Sequence, residues 1–250
     1  MWVPADPASL PDAPLIYDVG MNNGDDCDYY LRAGHRVVAI EANPALCAGA
    51  TRRFERAIAT GWLTILNLGI ADAPGTATFH VHRTNSVLST FVPEGERIGY
   101  TATLPPAEFE PIRVELRRLS DVIGFFGPPH YVKIDIEGFD DRCLADLRRR
   151  DMAPPFISAE AHTIDTFCQL VAMGYAAFKL SAGATVARDY ADHPIATVDG
   201  GSARHRFPPH SAGPYGEDLP GPWLDKDAIL ARWLDRGEGW FDLHARRSPA

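Results

Sequence analysis

The stretch Leu15-Ile-Tyr-Asp-Val-Gly-Met-Asn-Asn-Gly24, followed by Val37-Val-Ala-Ile-Glu41-Ala-Asn-Pro44, constrains the fold more than any other part of the chain. An apolar run ends in Asp18 and turns through Gly20 and Gly24, with a helix expected after it. A second apolar run ends in Glu41, about twenty residues beyond the first acidic tip. A strand, a glycine turn, a helix and an acid-tipped second strand form the nucleotide-cradling half of an α/β sheet. The glycines would let the backbone approach a ligand closely. A carboxylate at the tip of the second strand can accept both hydrogen bonds of a ribose diol.

The spacing of the glycines selects among nucleotides. A dinucleotide fingerprint, G-x-G-x-x-G, needs its middle glycine to admit a pyrophosphate at a helix N-terminus. Here the middle position is Asn22, which would crowd a pyrophosphate and could hydrogen-bond an amino-acid group. Asp18, Asp25, Asp26 and Asp28 would repel phosphate and suit a cation. A ligand with ribose, no phosphate, and ammonium and sulfonium charges is S-adenosylmethionine. The bland alternative is a glycine turn that merely joins strand to helix.

With 250 residues the chain could form one large α/β domain or two small ones. A formal charge of −9 and no dense Lys/Arg patch argue against a nucleic-acid partner. Arg148-Arg149-Arg150 falls at an expected helix end and complements the helix dipole there. No apolar run approaches a membrane span, and the first residues lack the pattern of a signal peptide, so a cytoplasmic location is expected. Cys27, Cys47, Cys143 and Cys168 form no C-x-x-C pair and read as small buried apolar residues.

Elements then alternate along the chain. A loose N-terminal arm over 1–14 precedes the first strand, Leu15 to Val19. Strands are expected at Arg36 to Glu41, Leu63 to Leu68, Tyr131 to Ile136, Phe156 to Ala159, Tyr175 to Leu180 and Trp240 to His244. Helices are expected at Asp25 to Ala33, from Pro44 with Asn43 as N-cap to about Ala59, Asp121 to Phe126 capped by Ser120, Asp140 to Arg150, Thr163 to Met173 and Asp225 to Arg236. Thr76 to Val81 reads as an exposed strand paired with Ile112 to Leu116, its His80 and His82 solvated. A loop insertion spans 83–111. A second, 181–224, is rich in Gly, Pro, His and Ser and is expected to close over the site as a substrate lid. The pattern is a single domain, a mostly parallel sheet with helices on both faces. Ligands of such sheets sit beyond the C-terminal strand tips, and Asp18, Glu41, Asp135 and Glu160 end four separate strands.

Asp-Val-Gly-x-Asn-x-Gly at 18–24, Glu-Ala-Asn-Pro at 41–44, Lys-Ile-Asp-Ile-Glu-Gly at 133–138 and Glu-Ala-His at 160–162 together resemble the FkbM-type class I methyltransferases. The resemblance covers roughly residues 15 to 180, and the block at 133–138 is its most diagnostic part. It implies a Rossmann-like, seven-stranded sheet whose last strand is antiparallel. It also implies S-adenosylmethionine as cofactor, and O-methylation of hydroxyls on sugars, natural products or other small molecules. By that resemblance Gly20, Asn22 and Gly24, with Met21 between them, line the methionine end. Glu41 takes the ribose, beside Ala42 and Asn43, and Gly69-Ile70 flanks the adenine.

The sulfonium is already a strong electrophile. Transfer to a hydroxyl therefore needs in-line placement and removal of a proton. Asp135 is the candidate for holding the acceptor or the ammonium, and Glu137 follows on the same side. His162 is the candidate general base, since its unperturbed pKa is about 6.5, and Glu160 could orient it or bind substrate. The competing reading of His162 is a histidine that caps the following helix or packs in a loop. Asp135, Glu160 and His162 would also make a passable oxygen-and-nitrogen metal site, although no metal is assigned. Two rivals remain: a nicotinamide-dependent oxidoreductase on a related sheet, and a non-catalytic binding module that keeps the fold. The acceptor's identity and the oligomeric state are not written in the sequence.

Overall fold

The structure is a computed structural model that describes residues 10–97, 99–161, 163–197, 200–237 and 239–247. The N-terminal half is built from β1 (Leu15–Val19), α1 (Asp25–Arg32), β2 (Arg36–Glu41), α2 (Pro44–Arg53), α3 (Glu55–Ala59), β3 (Leu63–Asn67), β4 (Gly69–Ile70), β5 (Gly75–His82), β6 (Phe109–Arg117) and α4 (Leu119–Phe126). The C-terminal half follows with β7 (Tyr131–Ile134), α5 (Asp140–Arg149), β8 (Phe156–Glu160), α6 (Ile164–Ala172), β9 (Ala177–Ala182), α7 (Val186–Asp189), β10 (His193–Ala196), β11 (Ser202–His205), α8 (Lys226–Arg236) and β12 (Phe241–Arg246). Seven strands form the main sheet in the order β3-β2-β1-β7-β8-β12-β9. β12 runs antiparallel between β8 and β9, while the pairs from β3 to β8 are parallel. The seven-stranded sheet with an antiparallel last strand is therefore present. Strand order reverses between β1 and β7, which places a crevice beyond their C-terminal tips.

Each face of the sheet is covered because strand side chains alternate. Tyr17, Val19, Val38, Ile40 and Val132 pack with α4, α5, α6 and α8. Ile16, Val37, Ala39 and Tyr131 face the other way, onto Tyr29 and Tyr30 of α1 and Ala50 of α2. On this second face the segment after β9 completes the cover. Tyr215 stacks on Tyr131 with ring centroids 4.0 Å apart and planes 4° from parallel, and its hydroxyl meets His35 Nε2 at 3.0 Å. Lys179 Nζ donates to the carbonyls of Gly216 and Leu219. The lid expected over 181–224 thus lies mainly against the sheet as part of the core. Among its described residues, only Pro209 and His210 line the cavity described below.

Other expectations shift for local reasons. The helix from Pro44 breaks at Phe54 (φ −111°, ψ 24°), whose ring tucks beneath Gly24, and resumes as α3. Ser120 does not cap α4. It lies inside the helix, and its backbone N–H donates to Asp146 Oδ2 of α5 at 2.9 Å. β7 stops at Ile134 rather than Ile136, because Glu137 (φ 49°) and Gly138 (φ 95°) turn the chain through left-handed conformations. His82 is buried rather than solvated. Its Nε2 meets Glu108 at 3.0 Å, and its Nδ1 accepts from the N–H of Thr84 and Asn85. Cys168 is exposed, whereas Cys27, Cys47 and Cys143 are buried. The described residues of the 83–111 segment form short 3-10 turns before the chain enters β6 of the small sheet β4-β6-β5. No helix among the described residues is long and apolar enough to cross a membrane.

Candidate functional site

A cavity of about 910 Å³ opens beyond the tips of β1, β2, β7 and β8. Gly20, Met21, Asn22, Glu41, Ala42, Gly69, Ile70, Asp135 and Glu160 all line it, so most of the residues singled out in the sequence share one space. The segment 85–92, drawn across from the 83–111 loop, supplies a further wall. Two bonds fasten that wall. The Ser86 hydroxyl donates to Asn22 Oδ1 at 3.0 Å, and the Thr90 hydroxyl donates to the Glu137 carbonyl at 2.7 Å.

Three expected cofactor contacts have a different task. Asp18 does not line the cavity; it is wholly buried, accepts the Cys27 thiol at 3.1 Å and pairs with Lys133 at 3.3 Å. Gly24 begins α1 with φ 86°, and a Cβ there would come within 2.6 Å of the Phe54 ring, so helix packing explains it. Asn43 is the N-cap of α2, accepting from Ala45 N–H at 3.0 Å, and is likewise absent from the wall. Gly20 does line the cavity, but its demand for glycine comes from another source. With φ 85°, a Cβ there would sit 1.8 Å from the Asp135 carbonyl oxygen. Asn22 takes up a left-handed conformation (φ 51°), which asparagine tolerates better than most residues.

Glu41 is set by its neighbours. Its Oε2 accepts from Asn22 N–H at 2.9 Å and its Oε1 from Asn43 N–H at 2.7 Å. Each oxygen keeps acceptor capacity for one further donor, which is what a vicinal diol presents. Burial pushes its pKa up to about 7, against the pull of those two N–H donors.

Lys133 is the hub that the sequence did not reveal. Its Nζ lies 3.3 Å from Asp18, 3.4 Å from Asp135 and 3.7 Å from Asp26, and donates to the Gly20 carbonyl at 2.9 Å. Burial opposes its charge, but the surrounding carboxylates, Asp18 foremost, hold its pKa well above the usual lysine value. One ammonium among three carboxylates leaves the floor acidic. Burial raises Asp26 to about 6 despite the neighbouring Lys133. Asp242 of β12 stands opposite Glu160 in the ladder, and burial, with Asp135 and Glu160 nearby, pushes its carboxyl well up. A site of this sign favours a cationic ligand.

Asp135, Glu137 and Glu160 each place a carboxylate oxygen within 4.8 Å of the others, a set able to hold a divalent cation. His162, the expected base, lies outside the described residues. Residues to which the sequence assigned no site role also reach the wall: Lys133, Arg97 and Trp240. The only signals for them were a lysine interrupting an apolar strand and the length of the 83–111 loop.

Sheet order and the position of the cavity together define the class, a Rossmann-like class I methyltransferase fold. Within it, the chain belongs to the methyltransferase FkbM domain family, whose match runs over residues 18–178. The chain is similar to the FkbM methyltransferase structure from Methylobacillus flagellatus at 17% identity and a TM-score of 0.48, over 68% of this chain and 40% of that one. It is also similar to a SAM-dependent O-methyltransferase from Thermotoga maritima at 10% identity and a TM-score of 0.39, over 96% of this chain and 62% of that one. A precorrin-6y C5,15-methyltransferase from Geobacter metallireducens aligns at 16% identity and a TM-score of 0.38, over 96% of this chain and 82% of that one. The chain thus spans less than half the length of the Methylobacillus structure. No curated protein matches the sequence significantly.

Proposed function

We propose that the protein is an S-adenosylmethionine-dependent methyltransferase that O-methylates a hydroxyl on a small molecule, sugar or natural product. The observation that carries this reading is Glu41. A buried carboxylate at the β2 tip, fixed by the N–H groups of Asn22 and Asn43, lines a cavity that Gly69-Ile70, just beyond the neighbouring strand β3, also lines. That arrangement suits a ribose flanked by an adenine. The acidic floor around Asp135 suits the ammonium and sulfonium of the methionine end. A nicotinamide dinucleotide would have to place its pyrophosphate against Asn22, Asp25 and Asp26. The oxidoreductase reading is therefore disfavoured.

In this reading the cofactor, when bound, supplies an electrophilic methyl group. Asp135 orients the acceptor or the ammonium, and Glu160 contacts the acceptor from the neighbouring strand tip. The proton leaves through His162 or through one of these carboxylates. The test is methyl transfer from isotopically labelled S-adenosylmethionine to a panel of hydroxylated compounds, read by mass spectrometry. Wild-type protein should label at least one of them, and both Asp135→Asn and His162→Ala should slow transfer about a hundredfold or more. Methylation on nitrogen alone would refute the choice of hydroxyl, and undiminished rates in both variants would remove the catalytic assignment.

A further inference from the structure

Arg97 is the one cation on the cavity wall, among the described residues, that no carboxylate neutralises. The other lining cation, Lys133, is surrounded by Asp18, Asp26 and Asp135. Arg97 is 8% exposed, a degree of burial that arginine almost never reaches unless paired. What holds it is modest. Its guanidinium lies 3.8 Å from the centroid of the Phe109 ring, and its Nε donates to the Val92 carbonyl at 3.3 Å. Its Nη1 is buried without a hydrogen-bond partner. Glu94, three residues earlier, is exposed, so water screens its charge. A buried guanidinium with an unused donor on a ligand cavity is a costly arrangement unless something completes it.

We propose that Arg97 binds a carboxylate on the methyl acceptor, so that the substrate is a hydroxylated acid. The argument rests on the methyltransferase reading above. It follows from charge and shape. The guanidinium fork matches a carboxylate in two parallel hydrogen bonds. A single unneutralised cation balances one carboxylate charge, whereas a phosphate dianion would leave an excess, since the described residues give the wall no second unneutralised cation. Glu41 and Asp135 line the same cavity, and their acidic character suits the cationic cofactor. The acid group would be held on the 83–111 segment, with the reacting hydroxyl directed toward Asp135.

The test compares glucuronate, gluconate and 4-hydroxybenzoate, each with its primary amide, by calorimetry and saturation-transfer NMR. Binding is measured on the full chain with and without S-adenosylhomocysteine. At least one acid should bind roughly tenfold to a hundredfold more tightly than its amide, the range expected for a charge-assisted contact. Arg97→Met, which keeps the stem over Phe109, should erase that preference, and Arg97→Lys should keep a weakened form of it. Both variants should bind S-adenosylhomocysteine like the wild type, which also shows that they are folded. Amides binding as well as acids, a preference that survives in Arg97→Met, or no acid binding at all would overturn the assignment. Failure of S-adenosylhomocysteine to bind would instead remove the cofactor reading, while the acid and amide comparison on the free protein still reports on Arg97.

Discussion

Glu41 supports a quantitative prediction about pH. Burial raises its pKa to about 7, although Asn22 and Asn43 each donate a backbone N–H to it. A ribose diol donates two further hydrogen bonds, which only the ionised form can accept in full. Binding of S-adenosylhomocysteine should then require the carboxylate. Below pH 7 the ionised fraction falls about tenfold per unit, so affinity at pH 5.5 should be about thirtyfold below its value at pH 8. The stability term has the opposite sense. The folded pKa lies above the unfolded one, so the contribution of Glu41 to stability is fully present below about pH 4.3 and is lost as pH rises through 7. Glu41→Ala should accordingly cost less stability at pH 8 than at pH 5.5, while abolishing ligand binding at both. The assay is titration calorimetry across this range in two buffers of different ionisation enthalpy. About one proton should be released per ligand at pH 6. Affinity that is flat between pH 5.5 and 8, or Glu41→Ala binding at wild-type strength, would refute the assignment of Glu41 to the ribose.

Further predictions follow from particular contacts. Lys133→Met strands Asp18, Asp26 and Asp135 together, and breaking a buried ion pair costs about 3–5 kcal/mol; scanning calorimetry should show a melting point lower by about 6–20 °C. Gly20→Ala drives a Cβ against the Asp135 carbonyl, so S-adenosylhomocysteine affinity and melting temperature should fall together in a thermal-shift titration. Tyr215→Ala removes the ring stacked on Tyr131 and should cost about 3–5 kcal/mol in urea unfolding, with ligand affinity retained because that contact lies off the cavity wall. Methyl transfer should continue unchanged in EDTA, and loss of activity restored by a divalent cation would assign a metal to Asp135, Glu137 and Glu160.

The stretch from β1 through α2 was legible because its cues are local: apolar runs, turn glycines and Asn43 capping the helix that starts at Pro44. The same cues misled where packing decides. Gly20 and Gly24 read as room for a ligand, yet what fills the space beside them is the Asp135 carbonyl and the Phe54 ring. Lys133 was visible only as the first residue of the 133–138 block, with no role assigned to it. Lys133 is held there because Asp18 and Asp26, from the first strand and helix, converge on it beside Asp135. Asp242 escaped notice because β12 inserts beside β8, bringing it opposite Glu160 from 82 residues away in sequence. The 181–224 segment, read from its prolines and glycines as a lid, holds Tyr215, whose stacking on Tyr131 draws the loop onto the sheet.

The central claim is the cofactor, and thermal melting tests it most directly. The protein would be melted with S-adenosylhomocysteine, S-adenosylmethionine and NAD in separate samples. A ligand specific to the folded state stabilises by about 2.7 kcal/mol at a hundred times Kd, or about 5–11 °C for a chain of this size. A shift of that order with both adenosyl ligands and none with NAD is the predicted result. A shift with NAD alone would contradict the account at its root, in the reading of Asn22 and Glu41.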